Sequence, residues 1–229
     1  MKRIFLLAAL LLTAFSAMAQ EPYYNTEPGR VYYYERSKVS NGKLTQTTQL
    51  DFDSLKNTPN GKRVYYGILL RKANGHAMLG GRADLHVDIN PRGDVYMDMG
   101  RALEAVLKNM FPKAKTSSQS TPAIMPAHMN PGDTLPDAHA VVKAGSVKAT
   151  VDITERSVLR YEKITTPAGT FDCVVIREHK VEKTSLFNHD EWSENWYARG
   201  IGYVRHDKLD EDMQAREREI LIRIDQKQE

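Results

Sequence analysis

Residues 147–153 have the sequence VKATVDI, and this stretch decides the fold. Its odd positions are apolar, whereas Lys148, Thr150 and Asp152 occupy the even positions. Successive side chains of a β-strand point to opposite faces, so a period of two predicts a strand with one buried and one solvated face. The most informative segment of the chain therefore indicates an antiparallel sheet that is wet on one side.

The same period recurs along the chain, and the breaks between strands carry turn residues. Asn41-Gly42, Asn60-Gly61 and residues 165–169 (TTPAG) predict hairpin turns. The other predicted strands cover residues 30–36, 43–52, 62–70, 76–89, 94–97, 158–164, 171–176, 192–198, 202–206 and 218–224. A sheet of about ten strands tends to curl or close because its twist accumulates. We therefore expect a mainly β fold, an antiparallel meander curled into a half-barrel or a flattened barrel.

One segment has the pattern of a helix. Asp98 is a candidate N-cap, apolar residues recur at positions 103, 106, 107 and 110, and Pro112 ends the pattern. We expect a short amphipathic helix at about residues 99–111, covering an open side of the sheet. Residues 113–132 contain three prolines and a Ser/Thr cluster, and are expected to form a long loop.

The first nineteen residues have the pattern of a secretory signal peptide. Lys2 and Arg3 precede an apolar core, and residues 17–19 (AMA) form a cleavage site between Ala19 and Gln20. The alternative is a membrane anchor, but an apolar stretch of sixteen residues is short for a span. Residues 20–229 are then a single β-rich domain, periplasmic or secreted. Its lone cysteine, Cys173, lies far from the cleavage point, which argues against lipid anchoring.

Cleavage removes two cations and lowers the formal charge of the chain from +3 to +1. A nearly balanced charge gives no electrostatic footprint for nucleic acid or an anionic membrane surface. We therefore expect no nucleic-acid partner. The amphipathic helix pattern, the long proline-containing loop and the charges of Lys148 and Asp152 also argue against an integral membrane protein.

Catalytic motifs of the familiar classes are absent from the sequence, and no cofactor is expected. Cys173 could act as a nucleophile with His179, although a lone cysteine on an apolar strand is more typical of a core residue. Met125, His128 and Met129 form a soft ligand set suited to Cu(I), and the alternative is a loop pinned by its methionines.

Aromatic residues of the predicted strands are the most suggestive binding feature. A concave sheet lined with tyrosine and tryptophan can hold glycan rings or acyl chains. Neighbouring residues face opposite sides, so only some of these rings can reach one cavity, and ordinary core packing is the alternative. The candidate ligand-binding residues are Tyr33, Tyr66, Trp192, Trp196 and Tyr203.

Three segments together resemble a group of exported envelope proteins of unknown function, the TapB-like families. The segments are residues 134–137 (TLPD), 166–173 (TPAGTFDC) and 196–204 (WYARGIGYV), and the resemblance extends over residues 130–225. It implies a periplasmic β-rich body resembling the YmcC-like half-barrel meander. It carries no catalytic residues over to this chain.

The expected function is that of a non-enzymatic binding or accessory protein of the bacterial envelope. Its ligand would be a glycan, a lipid or a protein partner held on the concave face of the sheet. Two alternatives stay open: a periplasmic hydrolase that uses an unrecognised pair of carboxylates, and an outer-membrane barrel, since a signal peptide and alternating strands fit that class too.

Overall fold

The computed structural model describes residues 20–184 and 188–227, so the predicted signal peptide, residues 1–19, lies outside the described residues. The described chain forms thirteen strands and one helix. The first strands are β1 Arg30–Lys38, β2 Leu44–Thr58, β3 Gly61–Lys72, β4 Ala83–Ile89 and β5 Val95–Met97. Helix α1 Met99–Met110 follows, and then β6 Thr116–Thr121, β7 Ala123–Met125 and β8 Ala138–Ala144. The last strands are β9 Val147–Thr166, β10 Gly169–Thr184, β11 Asn188–Ala198, β12 Gly202–Leu209 and β13 Ala215–Gln226.

All thirteen strands belong to one antiparallel sheet, which confirms the predicted mainly β meander. The strand order is β6-β8-β9-β10-β11-β12-β13-β1-β2-β3-β4-β5-β7. Consecutive strands are therefore neighbours almost throughout, and β1 pairs with β13 to join the two halves of the chain. The sheet curls into a nearly closed barrel.

The predicted helix is confirmed at Met99–Met110, with Asp98 as its N-cap. The Asp98 carboxylate accepts a hydrogen bond from the backbone N–H of Arg101 at 3.0 Å. This bond satisfies one of the amide groups that have no partner within the first turn of a helix.

Two sequence-based expectations about loops and strands are wrong. Residues 113–132 do not form a continuous loop, because β6 and β7 lie within them on either side of Pro122. The β6 segment TSSQST has no apolar alternation, so its hydrogen bonds to β8 left no signal in the sequence. Residues 76–82 are not strand, and β4 begins only at Ala83.

Closure of the sheet depends on these two short strands. β6 pairs with β8 and β7 pairs with β5, so the two edges of the sheet are joined through Pro122. Arg156, which is 2% exposed, lies beside this seam. Its guanidinium donates to the carbonyl oxygens of Ile124 at 3.0 Å and Pro136 at 2.8 Å, and pairs with Glu178 at 3.3 Å.

The sheet has two faces, which we name by the position of α1. The inner face is the one that α1 covers, and it includes Ile68 of β3, Val151 of β9 and Glu182 of β10. The outer face carries ladders of charged residues, among them Glu194 between Arg160 and Arg177. The alternation of the strands thus separates a partly apolar interior from a charged exterior.

We predict that Arg156→Met lowers the free energy of unfolding by about 2–4 kcal/mol, because it leaves two carbonyl groups and the carboxylate of Glu178 without their buried partner. Urea denaturation of both proteins measures this loss. Arg156→Lys keeps the positive charge but loses the planar set of guanidinium donors. Its free energy of unfolding should therefore lie between those of the wild-type protein and the Met variant. A loss below about 1 kcal/mol for the Met variant would show that the seam does not need this residue.

Candidate ligand-binding cavity

Helix α1 contacts strands near both edges of the curled sheet. It contacts β4 near one end and both β6 and β8 at the other. Leu103 and Leu107 pack on the small residues of β8 and β9, including Ala140 and Ala149. The amphipathic stripe of the helix therefore covers the inner face, as its sequence period requires.

The helix does not fill the space that it covers. Between α1 and the inner face lies a cavity of about 280 Å³, close to the lower end of the range for small-molecule sites, about 300–1,000 Å³. Of the seventeen residues that line it, only Glu182 and Thr184 have polar side chains. The helix contributes Met99, Ala102, Leu103, Val106, Leu107, Met110 and Phe111, the last being its C-cap. The sheet contributes Ile68, Leu70, Ala83, Leu85, Val147 and Val151 besides the two polar residues.

Two large apolar residues at this cavity are exposed to solvent. Leu79 is 37% exposed and Met110 is 41% exposed, and both line the cavity. Leu79 has a φ of 55°, an uncommon conformation for a leucine that costs about 1–3 kcal/mol. The segment around it is fixed to the helix, because the side-chain amide of Asn109 donates to the carbonyl of Arg82 at 2.7 Å.

Gly80 permits this close contact. A Cβ atom at Gly80 would lie 2.8 Å from the backbone of Asn109, and the glycine has a φ of 76°. Any larger residue would push the segment away from the end of α1. One edge of the cavity is therefore formed by Leu79, with its positive φ, and by Gly80, whose lack of a side chain allows close contact with the helix.

Another part of the inner face carries ion pairs. Four acid–base pairs lie along β1 and β9–β13. They are Arg36–Glu219 at 2.7 Å, Arg156–Glu178 at 3.3 Å, Lys180–Glu182 at 3.1 Å and Lys208–Glu191 at 2.8 Å. We call this set the paired wall.

Burial alone would raise the pKa of the Glu219 carboxyl, but the charge of Arg36 and hydrogen bonds from Thr48 and Tyr203 hold it below its ordinary value. Burial, together with the charge of Arg36, lowers the pKa of His206 to about 4. The histidine is therefore neutral at physiological pH, and the acid of the Arg36 pair is ionised.

Two of the five candidate aromatic residues lie on the inner face. Tyr66 packs near Phe52, and Tyr203 stacks on Tyr34 with ring centroids 4.9 Å apart. The hydroxyl of Tyr203 donates to Glu219 at 2.8 Å. These rings belong to the hydrophobic core and do not line the cavity.

The other three candidates, Tyr33, Trp192 and Trp196, lie on the outer face, so the five do not converge. Each has a ring face occupied by a neighbouring side chain. Arg223 lies 4.0 Å from the ring of Tyr33, and the ring of His179 stacks 4.8 Å from Trp192. Arg205 lies 4.0 Å from the ring of Trp196 and Arg160 lies 5.6 Å from it, so cations cover this tryptophan.

The remaining candidate groups are the single cysteine and the Met125, His128 and Met129 cluster. Cys173 is buried, and burial raises the pKa of its thiol to about 12, so the reactive thiolate is scarce at neutral pH. Met125 and Met129 are buried in the core, whereas His128 is exposed. Within residues 20–184 and 188–227, no group of three His, Cys, Asp or Glu side chains is arranged to hold a metal ion.

Sequence reasoning missed the cavity as a site. Its signals were present in the helical stripe that includes Leu103 and Val106, and in the alternation of Ile68 and Leu70. Each pattern alone indicates core packing. Only the pairing of distant strands under one helix shows that the two apolar surfaces leave a space between them.

Comparison with known proteins identifies the family. A model of the DUF3108-like family matches residues 30–218, most of the chain, and the protein belongs to this family. No curated protein sequence matches the chain at a significant level. Within the described residues, no helix is both long enough and apolar enough to cross a membrane.

Two solved structures share the fold. One is a protein from Bacteroides fragilis, inferred to be exported and with a YmcC-like fold, at 20% identity and a TM-score of 0.71 over 90% of this chain and 100% of that one. The second is an inferred lipoprotein from Parabacteroides distasonis, at 18% identity and a TM-score of 0.69 over 90% and 99% of the two chains. The resemblance to YmcC-like half-barrels is thereby confirmed for the fold.

We predict that Glu104 fixes α1 in a pH-dependent way. Hydrogen bonds from the hydroxyls of Thr116 and Ser118, and then from Lys108, lower the pKa of Glu104 from 4.5 to about 2. A lowered pKa in the folded state means that the stabilisation is complete above about pH 4.5 and is lost as the pH falls towards 2. Glu104→Gln should therefore destabilise the protein by about 1.5–3 kcal/mol at neutral pH, and by much less near pH 2.

Urea denaturation at several pH values measures this difference. Glu211→Gln in the exposed turn after β12 is the matched control, and should change the unfolding free energy by less than about 0.5 kcal/mol. If Glu104→Gln lowered the free energy of unfolding equally at neutral pH and near pH 2, the pH-dependent role of the Glu104 carboxylate would be contradicted.

Proposed function

We propose that this protein is an exported, non-enzymatic accessory protein of the bacterial envelope that binds a lipid chain between α1 and the inner face of the sheet. The observation that carries the proposal is the cavity, in which fifteen of seventeen lining residues have no polar side chain. Of the ligands considered from the sequence, a glycan needs more polar partners than this lining offers. An alkyl chain needs none.

The envelope location is supported by two independent features. Residues 1–19 have the pattern of a signal peptide, and the B. fragilis protein with the same fold is inferred to be exported. The charged outer face supports a protein that is surrounded by water. Asp207 is held there between Arg205 and Arg218, an arrangement too costly for a surface that faces lipid tails.

The alternative of a carboxylate hydrolase receives no support from the ionisable groups. A general acid of this class needs a raised pKa. The described carboxyl groups with a clear pKa shift are all shifted downwards: Asp88, Asp94, Glu104, Glu191, Asp207 and Glu219. Two carboxylates of β4 are each held by an arginine, Asp88 by Arg63 and Asp84 by Arg82.

We predict that affinity rises with alkyl chain length until the cavity is full. Each buried methylene contributes about 0.8 kcal/mol, so two more methylenes should tighten binding by up to about 15-fold. Displacement of the neutral dye Nile red by 1-octanol, 1-decanol and 1-dodecanol measures this series. Equal affinities for the three alcohols would contradict the proposal.

We also predict that filling the cavity blocks binding. Ala102 lines the cavity and Ala105 does not, although both are half-buried on α1. Ala102→Phe should weaken 1-decanol binding at least about tenfold by occupying the space of the ligand, whereas Ala105→Phe should leave it nearly unchanged.

Thermal unfolding establishes that both variants are folded before their affinities are compared. Equal loss of binding in the two variants would place the site elsewhere on the molecule.

A further inference from the structure

The polar end of the cavity indicates what kind of head group the lipid carries. Glu182 is the one charged residue among those that line the cavity. Its carboxylate lies 3.1 Å from the ammonium group of Lys180, two residues earlier on β10 and on the same face. The charge nearest to the bound chain is therefore already neutralised by a neighbour.

The charges next to this pair are neutralised in the same way. Glu191 of β11 is the register partner of Lys180 on the neighbouring strand β10. Its carboxylate is paired with the ammonium group of Lys208 at 2.8 Å. Burial would raise the pKa of Glu191, but Lys208 and then Lys180 hold it below its ordinary value. The paired wall thus offers no surplus charge beside the cavity.

An ionised head group entering this site would lack a counter-charge. A carboxylate would meet Glu182 beside Lys180, and an ammonium group would meet Lys180 beside Glu182. Placing an uncompensated charge in an apolar cavity is costly, whereas a hydroxyl group can donate to a carboxylate that keeps its own ion pair. Lys180 and Glu182 are 27% and 29% exposed, so a small polar group can reach them.

We infer that the ligand is an uncharged single-chain lipid whose hydroxyl group donates to Glu182, and that the Lys180–Glu182 pair excludes both fatty acids and alkyl amines. This inference rests on the proposed function, because it assigns the head group of the chain that the cavity holds. Lys180 and Glu182 are then specificity-determining residues, since removing either charge leaves its partner free to attract an ion.

The test compares three ligands with the same twelve-carbon chain: 1-dodecanol, laurate and dodecylamine. Their affinities are measured by displacement of Nile red from the purified protein at about pH 8. The wild-type protein should bind 1-dodecanol at least about tenfold more tightly than either charged ligand.

Two variants should each weaken the preference for 1-dodecanol, one in favour of laurate and the other in favour of dodecylamine. Glu182→Gln frees Lys180, and should improve the laurate-to-dodecanol affinity ratio about tenfold. Lys180→Met frees Glu182, and should improve the dodecylamine-to-dodecanol ratio by a similar factor. Lys183→Met is the matched control, because Lys183 is on the same strand but points to the outer face. It should change neither ratio.

Different outcomes would overturn the head-group assignment and the lipid site itself. Equal affinity of the wild-type protein for all three ligands, or a preference for laurate that neither variant alters, would overturn the head-group assignment while leaving the lipid site in place. Failure of all three ligands to displace the dye from the wild-type protein would overturn the proposed function itself.

Discussion

The curvature of the sheet is the constraint on which the rest of the structure depends. Thirteen antiparallel strands accumulate enough twist to bring the two edges of the sheet together, where Pro122 joins β6 to β7 and Arg156 bonds across the seam. Only this closure places β4 and β8 within reach of a single helix. The inner face is wider than the apolar stripe of one helix, so α1 covers the interior without filling it.

The cavity follows from how residues are distributed around the curl. Along β3, β4, β8 and residues 147–153 of β9 the inner face is apolar, and α1 lies against this part. Along β9–β13 and β1 the inner face carries the paired wall, which includes Arg156 of β9 and in which each acid has its own base. An apolar space beside neutralised charges suits an uncharged amphiphile.

Local patterns were sufficient to predict most of the fold. The alternation at residues 147–153, the turns at Asn41-Gly42 and Asn60-Gly61, and the Asp98 cap each depend on interactions between residues close in sequence. The β6 segment could not be predicted, because its serines and threonines form a strand only through β8. The candidate aromatics lay correctly on strands, but bulges and strand pairing decide which face each ring occupies, so only Tyr66 and Tyr203 point inwards.

The most direct test of the account is a crystal structure of the protein soaked with 10-bromo-1-decanol, with the bromine located by its anomalous scattering. A single bromine peak is expected among the apolar side chains between α1 and β3–β4, with the hydroxyl group directed towards Glu182. A bromine peak on the outer face, or an α1 packed so closely on the sheet that no chain fits between them, would contradict it.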